Sequence, residues 1–233
     1  MASSDLAFVI PAFNEEKTVA GVVRSLRDFG QVFVVDDGSN DRTSEESSRA
    51  GAKVLNLGAN SGYDKALAAG LSNAALSGAR YVVTCDADGQ HLSSDVLKVS
   101  KTLMEGGSPI VIGVRPAFAR WSEVVFARHA RRRHGIYDPL CGLKGYLIES
   151  SGHNFEKVFD QSIGTGLAVE YSRLHQAINL PIMEAHRLHG SPKFGSILRS
   201  NLRILKALGL CLKRDAILLI WGHDWHKKQG SVA

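Results

Sequence analysis

Cysteine is scarce in this chain of 233 residues: Cys85, Cys141 and Cys211 are the complete set. An odd number without paired spacing argues against a disulfide framework or a metal ribbon, and we read them as reduced thiols. Long apolar runs are missing too. The stretch Ala216 to Trp221, the longest near the end, is far too short to cross a bilayer. Met1-Ala2-Ser3-Ser4-Asp5 has neither the basic nor the apolar region of a secretory leader, so none is expected. No G-x-G-x-x-G follows the first predicted strand, which argues against a dinucleotide site. No G-x-x-x-x-G-K-[ST] occurs, which excludes a P-loop kinase or ATPase. The nine histidines are spread singly, and no Ser/His/Asp or Cys/His nucleophile system is evident. Internal repeats and low-complexity segments are absent as well.

What is present is ordinary globular composition, 44% hydrophobic and 22% charged. The length suits one α/β domain with a C-terminal extension, which we place at residues 1–195 and 196–233. Charge is unevenly placed along the chain. Residues 186–233 carry nine Lys/Arg against Asp215 and Asp224, while the remainder has 19 Lys/Arg against 21 Asp/Glu. A near-neutral body therefore precedes a basic element, which could meet nucleic acid, an anionic membrane or water.

Strand and helix patterns alternate through the first half, as in a parallel sheet with crossover helices. Strands are predicted at Leu6–Ile10, stopped by Pro11, then at Gln31–Val35, Lys53–Leu57, Tyr81–Cys85 and Ile110–Gly113. Helices are predicted from Glu15 to about Phe29, from Asp41, from Tyr63 to about Leu76 and over Asp95–Met104. Later elements are a turn at Asp138–Gly142, a helix at Thr165–Ala177 and a last strand at Ile182–Leu188. From Phe194 to Leu212, apolar positions alternate with Arg199, Arg203, Lys206 and Lys213 in a basic amphipathic helix.

Two of these strands end in acid. Val32-Phe33-Val34-Val35 runs into Asp36-Asp37-Gly38-Ser39, and Tyr81–Cys85 runs into Asp86-Ala87-Asp88-Gly89-Gln90-His91. Parallel strands bring their carboxyl ends into one crevice, where open α/β sheets bind ligands. Two carboxylates one residue apart there suit Mg²⁺ or Mn²⁺, which take a few carboxylates plus substrate phosphates.

Val9-Ile10-Pro11-Ala12-Phe13-Asn14-Glu15-Glu16, Val35-Asp36-Asp37-Gly38-Ser39-Asn40-Asp41-Arg42-Thr43, Asn60-Ser61-Gly62 and Asp86-Ala87-Asp88-Gly89-Gln90-His91 follow one another over the first half. In that order and spacing they resemble the inverting family 2 glycosyltransferases of the GT-A fold. In the second half, Asp138-Pro139-Leu140-Cys141-Gly142-Leu143-Lys144-Gly145-Tyr146 looks like the D-P-x-S/C-G-F segment of the polyprenyl-phosphate sugar synthases, the dolichol-phosphate mannose synthase group. Arg187-Leu188-His189-Gly190-Ser191-Pro192-Lys193 looks like that group's R-x-x-G-x-S-K segment, with Pro192 in place of its Ser and His186 where an Asp is frequent.

The resemblance implies a single, mostly parallel sheet flanked by helices, and an inverting transfer of a hexose from a GDP- or UDP-sugar to a polyprenyl phosphate. The chemistry assigns a cation to Asp86, Asp88 and Gln90, neutralising the leaving diphosphate as a Lewis acid, and the family pattern implies the same three positions. Pro11, Ala12, Asn14 and Glu15 would line the base and ribose pocket by resemblance, although Asn14 and Glu15 could also cap the first helix. Asp37 suits ribose hydroxyls or a base N–H, and Asn60 and Gly62 would shape the loop over the nucleotide. By resemblance Arg115, Arg187 and Lys193 bind the acceptor phosphate or the donor diphosphate, with Arg120, Arg128 and Arg131 as further acceptor-phosphate candidates. A phosphate acceptor is already ionised near neutral pH, so it needs positioning more than a base.

The expected setting is the cytoplasmic face of an anionic membrane, met peripherally, with a membrane-anchoring partner subunit as one route to it and no nucleic-acid partner. An alternative acceptor is a saccharide hydroxyl in surface-glycan or lipopolysaccharide assembly, for which Glu170 could be the base. A sugar-1-phosphate nucleotidyltransferase would show a G-G-x-G-T-R-like loop where Pro11-Ala12-Phe13-Asn14 stands. A non-catalytic basic binding protein would not need the Asp86/Asp88 pair.

Overall fold

The computed structural model describes residues 3–148, 155, 162, 164–183 and 197–221. Seven strands form one sheet in the order β3-β2-β1-β4-β6-β5-β7. These are β1 (Ser3–Ala12), β2 (Gly30–Asp36), β3 (Lys53–Asn56), β4 (Tyr81–Thr84), β5 (Ile110–Val114), β6 (Lys144–Leu147) and β7 (Ile178–Pro181). All neighbours pair in parallel except β6, which runs antiparallel to both β4 and β5.

The period of two in β1 explains why both faces are covered. Leu6, Phe8 and Ile10 enter one core with residues of α1 (Val19–Leu26) and α4 (Ser93–Met104). Ala7 and Val9 enter the other, with residues of α3 (Tyr63–Leu76), α5 (Trp121–His134), α6 (Gly166–Leu174) and α7 (Ile197–Trp221). Helix α2 (Thr43–Ala50) packs beside α1 and β3. Small residues let α3 come close to the sheet: a Cβ on Gly70 would stand 2.4 Å from a Val9 methyl.

The mostly parallel sheet with flanking helices agrees with the fold expected from sequence, while several element boundaries differ. Strand β1 runs on through Pro11 to Ala12, because pairing with β4 ends at Val9 opposite Thr84 and Pro11 lies beyond that ladder. Helix α1 begins at Val19 rather than Glu15, since the Glu15 carbonyl accepts from both Thr18 and Val19 in a preceding turn. Among the described residues the last strand is Ile178–Pro181; of the expected Ile182–Leu188 only Ile182 and Met183 are described, and they lie outside it. After Pro181 the Met183 N–H is taken by Asp95 Oδ2 at 2.8 Å, which turns the chain from the sheet, and residues 184–188 lie outside the described part. The C-terminal helix extends to Trp221, well past Leu212.

In the order β2-β1-β4, strand β1 connects outward to β2 on one side and borders β4 on the other. The carboxyl ends of these three strands therefore open on a common crevice, where such sheets place ligands.

Candidate active site

A cleft of about 820 Å³ opens at that crevice. One wall is Pro11 to Glu15, the loop that follows β1. Asn14 sits there with φ 52°, a left-handed conformation that an Asn tolerates better than most residues. The conformation is held from the next loop. The Asn14 N–H donates to Ser39 Oγ at 2.8 Å, Asn14 Oδ1 accepts from the Asn40 N–H at 2.9 Å, and the Glu15 N–H donates to Thr43 Oγ1 at 2.7 Å. Asn14 and Glu15 thus tie the loops after β1 and β2 together rather than capping α1, whose start has no side-chain cap.

Asp37 is buried in the adjacent wall and lines the cleft, as expected from sequence. Its Oδ1 accepts the Ser61 N–H at 2.7 Å and its Oδ2 the Gly62 N–H at 2.9 Å, so this carboxylate sets the Asn60–Gly62 loop against the cleft. Gly38, with φ 74°, allows that approach, since a Cβ would stand 2.6 Å from the Ala59 carbonyl carbon. Asp36 points elsewhere, accepting the Ser39 N–H at 2.9 Å and the Ser44 hydroxyl.

Asp86 and Asp88 form the floor. Asp88 is buried and accepts the Gln90 N–H at 3.0 Å, whereas the Asp86 side chain is 38% exposed. His91 steadies the turn, accepting the Asp86 N–H on Nδ1 at 3.2 Å. Opposite stands Gly142, where a Cβ would fall 2.5 Å from an Asp86 carboxylate oxygen; only glycine leaves the carboxylate in place. Two hard oxygen donors, one partly open and cradled by bare backbone, fit Mg²⁺ or Mn²⁺. Gln90, expected as a third ligand, follows in the loop and is not among the cleft-lining residues.

Cations close the cleft from two other elements. Lys144, at the start of β6, is buried and donates its ammonium to the Cys141 carbonyl. Burial pulls the Lys144 pKa below its ordinary value, against the opposing pull of the Cys141, Asp138 and Asp86 charges. Burial likewise holds the Cys141 thiol up at about 12, so it stays protonated. Arg203 and Lys206 reach the cleft from α7. Tyr63 and Asp64 complete the lining from the start of α3.

Several expected phosphate ligands lie elsewhere. The Arg115 guanidinium grips buried Asp138 through Nε at 2.7 Å and Nη2 at 3.0 Å, and meets buried Glu123 at 3.2 Å. Burial alone would lower its pKa, and the Asp138 hydrogen bonds and charge more than reverse that. Arg115 is therefore a structural cation and not a cleft residue. Arg120 pairs with Glu123 at 2.8 Å. Arg128 is exposed on α5, and Arg131 lies 4.4 Å over the Tyr137 ring; neither lines the cleft, because that helix turns its buried face to the core. Arg187 and Lys193 lie outside the described residues. Sequence reasoning missed Lys144, Tyr63 and Asp64 as cleft residues. It read Arg203 and Lys206 as headgroup contacts, although their spacing with Arg199 on one helical face marks them as acting together.

A parallel-sheet crevice with strand-terminal carboxylates and nucleotide-side loops defines the GT-A class of sugar-nucleotide transferase folds. The solved structure of glucosyl-3-phosphoglycerate synthase from Mycobacterium tuberculosis, in complex with Mn²⁺, UDP and glucosyl-3-phosphoglycerate, shares this fold with TM-score 0.63 and 18% identity, covering 88% of this chain and 80% of that one. Residues 7–162 match glycosyl transferase family 2, and the chain belongs to that family. It is similar to the UDP-N-acetylglucosamine–dolichyl-phosphate N-acetylglucosaminyltransferase of Methanococcus voltae, 34% identical over 134 residues, 49% of this chain and 53% of the relative. It is also similar to the undecaprenyl-phosphate 4-deoxy-4-formamido-L-arabinose transferase of Pseudomonas paraeruginosa, 26% identical over 221 residues, 84% of this chain and 62% of that one. The chain thus spans about half the length of the first of these relatives.

Proposed function

We propose that this family 2 glycosyltransferase moves a hexose, with inversion, from a GDP- or UDP-sugar to a polyprenyl phosphate. The observation that carries this reading is one cleft in which the Pro11–Glu15 and Asn60–Gly62 loops, the Asp86/Asp88 floor and the Lys144, Arg203 and Lys206 cations meet. Two polyprenyl-phosphate transferases among its relatives support the acceptor class. Mn²⁺ and UDP in a protein of the same fold support the donor side.

In this reading Pro11, Ala12, Asn14, Glu15, Asn60 and Gly62 hold the nucleoside, while Asp37 fixes their loop. Asp86 and Asp88 would hold Mg²⁺ or Mn²⁺. When bound, such an ion neutralises the charge that develops on the departing nucleoside diphosphate. Arg203 and Lys206 orient the acceptor phosphate, whose oxygen is already anionic and attacks the anomeric carbon without a protein base. Buried Lys144 lines the same floor, its side-chain amine donating to the Cys141 carbonyl. Arg187 and Lys193, which lie outside the described residues, are assigned the same phosphate work on resemblance alone. Membrane approach, at the cytoplasmic face, is part of the same proposal, because a polyprenyl tail stays in the bilayer. No helix among the described residues is long and apolar enough to cross it.

Thermal-shift titration tests the donor side: GDP or UDP should raise the melting temperature, and more so with Mn²⁺. Radiolabelled sugar transfer to a short polyprenyl phosphate tests the acceptor. A nucleotide-dependent shift together with transfer only to a saccharide would replace the lipid acceptor by a glycan hydroxyl.

A further inference from the structure

Four side chains that sugar transfer does not use converge between α5 and α7. His129 Nε2 lies 3.0 Å and His134 Nε2 3.1 Å from Asp215 Oδ2. Cys211 Sγ lies 3.7 Å from His134 Nε2 and 4.0 Å from that same oxygen. All four ligand atoms fall within 4.8 Å of one another. A tetrahedral ion with bonds of roughly 2.0–2.1 Å to nitrogen and oxygen and 2.3 Å to sulfur needs N/O neighbours about 3.3 Å apart and sulfur about 3.5 Å from either. The four separations around Asp215 Oδ2 and His134 Nε2 lie within about 0.5 Å of those values, and the remaining pairs, within 4.8 Å, close by side-chain adjustment on binding.

The secondary structure explains the convergence. Cys211 and Asp215, four residues apart, stack on one face of α7, and α5 lies alongside, as the Ser122–Asn201 and His129–Asp215 contacts show. Asp215 is also oriented from outside. Arg173 of α6 donates to Oδ1 at 2.8 Å, which turns Oδ2 toward the two imidazoles, the arrangement by which outer partners fix metal-binding carboxylates. His134, Cys211 and Asp215 are buried, and the His129 side chain is part-exposed and gives the cluster its way out to solvent.

The geometry points to a second, structural cation site in which His129, His134, Cys211 and Asp215 bind one Zn²⁺-like ion and clamp α7 to α5. Imidazole and thiolate select such an ion over the hard cations that suit the oxygen-only Asp86/Asp88 floor. One thiolate and one carboxylate balance the divalent charge within the four ligands, with the part-exposed Arg173 guanidinium on the outer side of Asp215. Four protein ligands leave no open position, as in structural zinc sites. The clamp would hold in place the helix that brings Arg203 and Lys206 to the cleft.

The test uses the full chain, stripped with a chelator and titrated with Co²⁺ in the absence of nucleotide. One equivalent should give the visible bands of tetrahedral cobalt and a thiolate-to-cobalt charge-transfer band, and Zn²⁺ should erase both. Asp88→Ala should keep both features, since it alters only the cleft. Cys211→Ser should lose the charge-transfer band. Should that variant fail to fold, His129→Ala, at the exposed rim, should bind Co²⁺ at least about tenfold more weakly, as loss of even an outer partner does. A wild-type chain without a saturable tetrahedral spectrum overturns the site and leaves a hydrogen-bonded His–Asp–His network. So does a spectrum indifferent to Cys211→Ser or His129→Ala.

Discussion

Asp88 and Arg115 show how differently two charged residues from the same sequence pattern are employed. Asp88 lies on the cleft floor with its carboxylate set by the Gln90 N–H, so its substitution should strike chemistry and not folding. Asp88→Asn should lower kcat by roughly a thousandfold, the scale of several kcal/mol of lost charge stabilisation, with an unchanged circular dichroism spectrum. Turnover near the wild-type level, or turnover indifferent to EDTA, would remove the cation from the proposal. Arg115 belongs to the opposite case. Its buried pairs with Asp138 and Glu123 join β5 to the turn before β6 and to α5. Arg115→Ala leaves buried Asp138 without its main partner and Glu123 with Arg120 alone, and removing one member of such a buried pair costs about 3–5 kcal/mol. We expect a large loss of melting temperature in Arg115→Ala with little change in acceptor KM for the protein that remains folded. A stable variant with a selectively raised acceptor KM would restore Arg115 to the site.

At the scale of elements, the alternating strands and helices of the first half were legible because the central strands β1, β2, β4 and β5 are short apolar runs that feed the two cores, while β3 is a half-exposed edge strand. The acid-terminated strands β2 and β4 pointed to the crevice. Antiparallel β6 was not legible, since four residues reading Lys-Gly-Tyr-Leu carry no mark of direction. The partners of Arg115 were hidden because Glu123 and Asp138 lie 8 and 23 residues away, a separation that only the fold closes. The C-terminal helix shows a third limit. Its apolar spacing is real, yet Ile204, Ala207, Leu208 and Cys211 are spent on the core, which turns Arg203 and Lys206 toward the cleft. Both cations are exposed along their stems, so their truncation should not unfold the chain. Arg203→Ala and Lys206→Ala should each raise acceptor KM about tenfold or more, as the loss of a charge-assisted hydrogen bond implies. The Mn²⁺-dependent shift with nucleoside diphosphate should survive in both. The reverse split would move these two cations onto the donor diphosphate.

For the whole molecule, the proposed lipid acceptor calls for a surface that could meet a bilayer. Part of α7 remains uncovered once its core face is accounted for: Leu198 is 70% exposed, Leu202 57% and Leu212 47%. Helix α5 exposes Trp121, Val124 and Val125, and it lies alongside α7 through the Ser122–Asn201 and His129–Asp215 contacts. Arg128, Arg131 and Arg132 of α5 and Arg199, Arg203, Lys206 and Lys213 of α7 are exposed on the same pair of helices. Exposed apolar side chains and cations on one pair of helices, two of those cations lining the cleft, are what a lipid-phosphate acceptor would need from an enzyme approaching the bilayer from one side. Each cation near an anionic surface contributes on the order of 1 kcal/mol, so several give attachment that is reversible and salt-sensitive. The chain should float with vesicles containing phosphatidylglycerol at low salt and be released as salt rises. Trp121→Glu with Leu202→Glu should weaken flotation without lowering the melting temperature, since both side chains are already in water and burying them in headgroups is the gain being removed. Absence of flotation at low salt, in a chain that still transfers sugar, would mean that these helices are only the outer layer of the fold and that the acceptor comes to the cleft from solution.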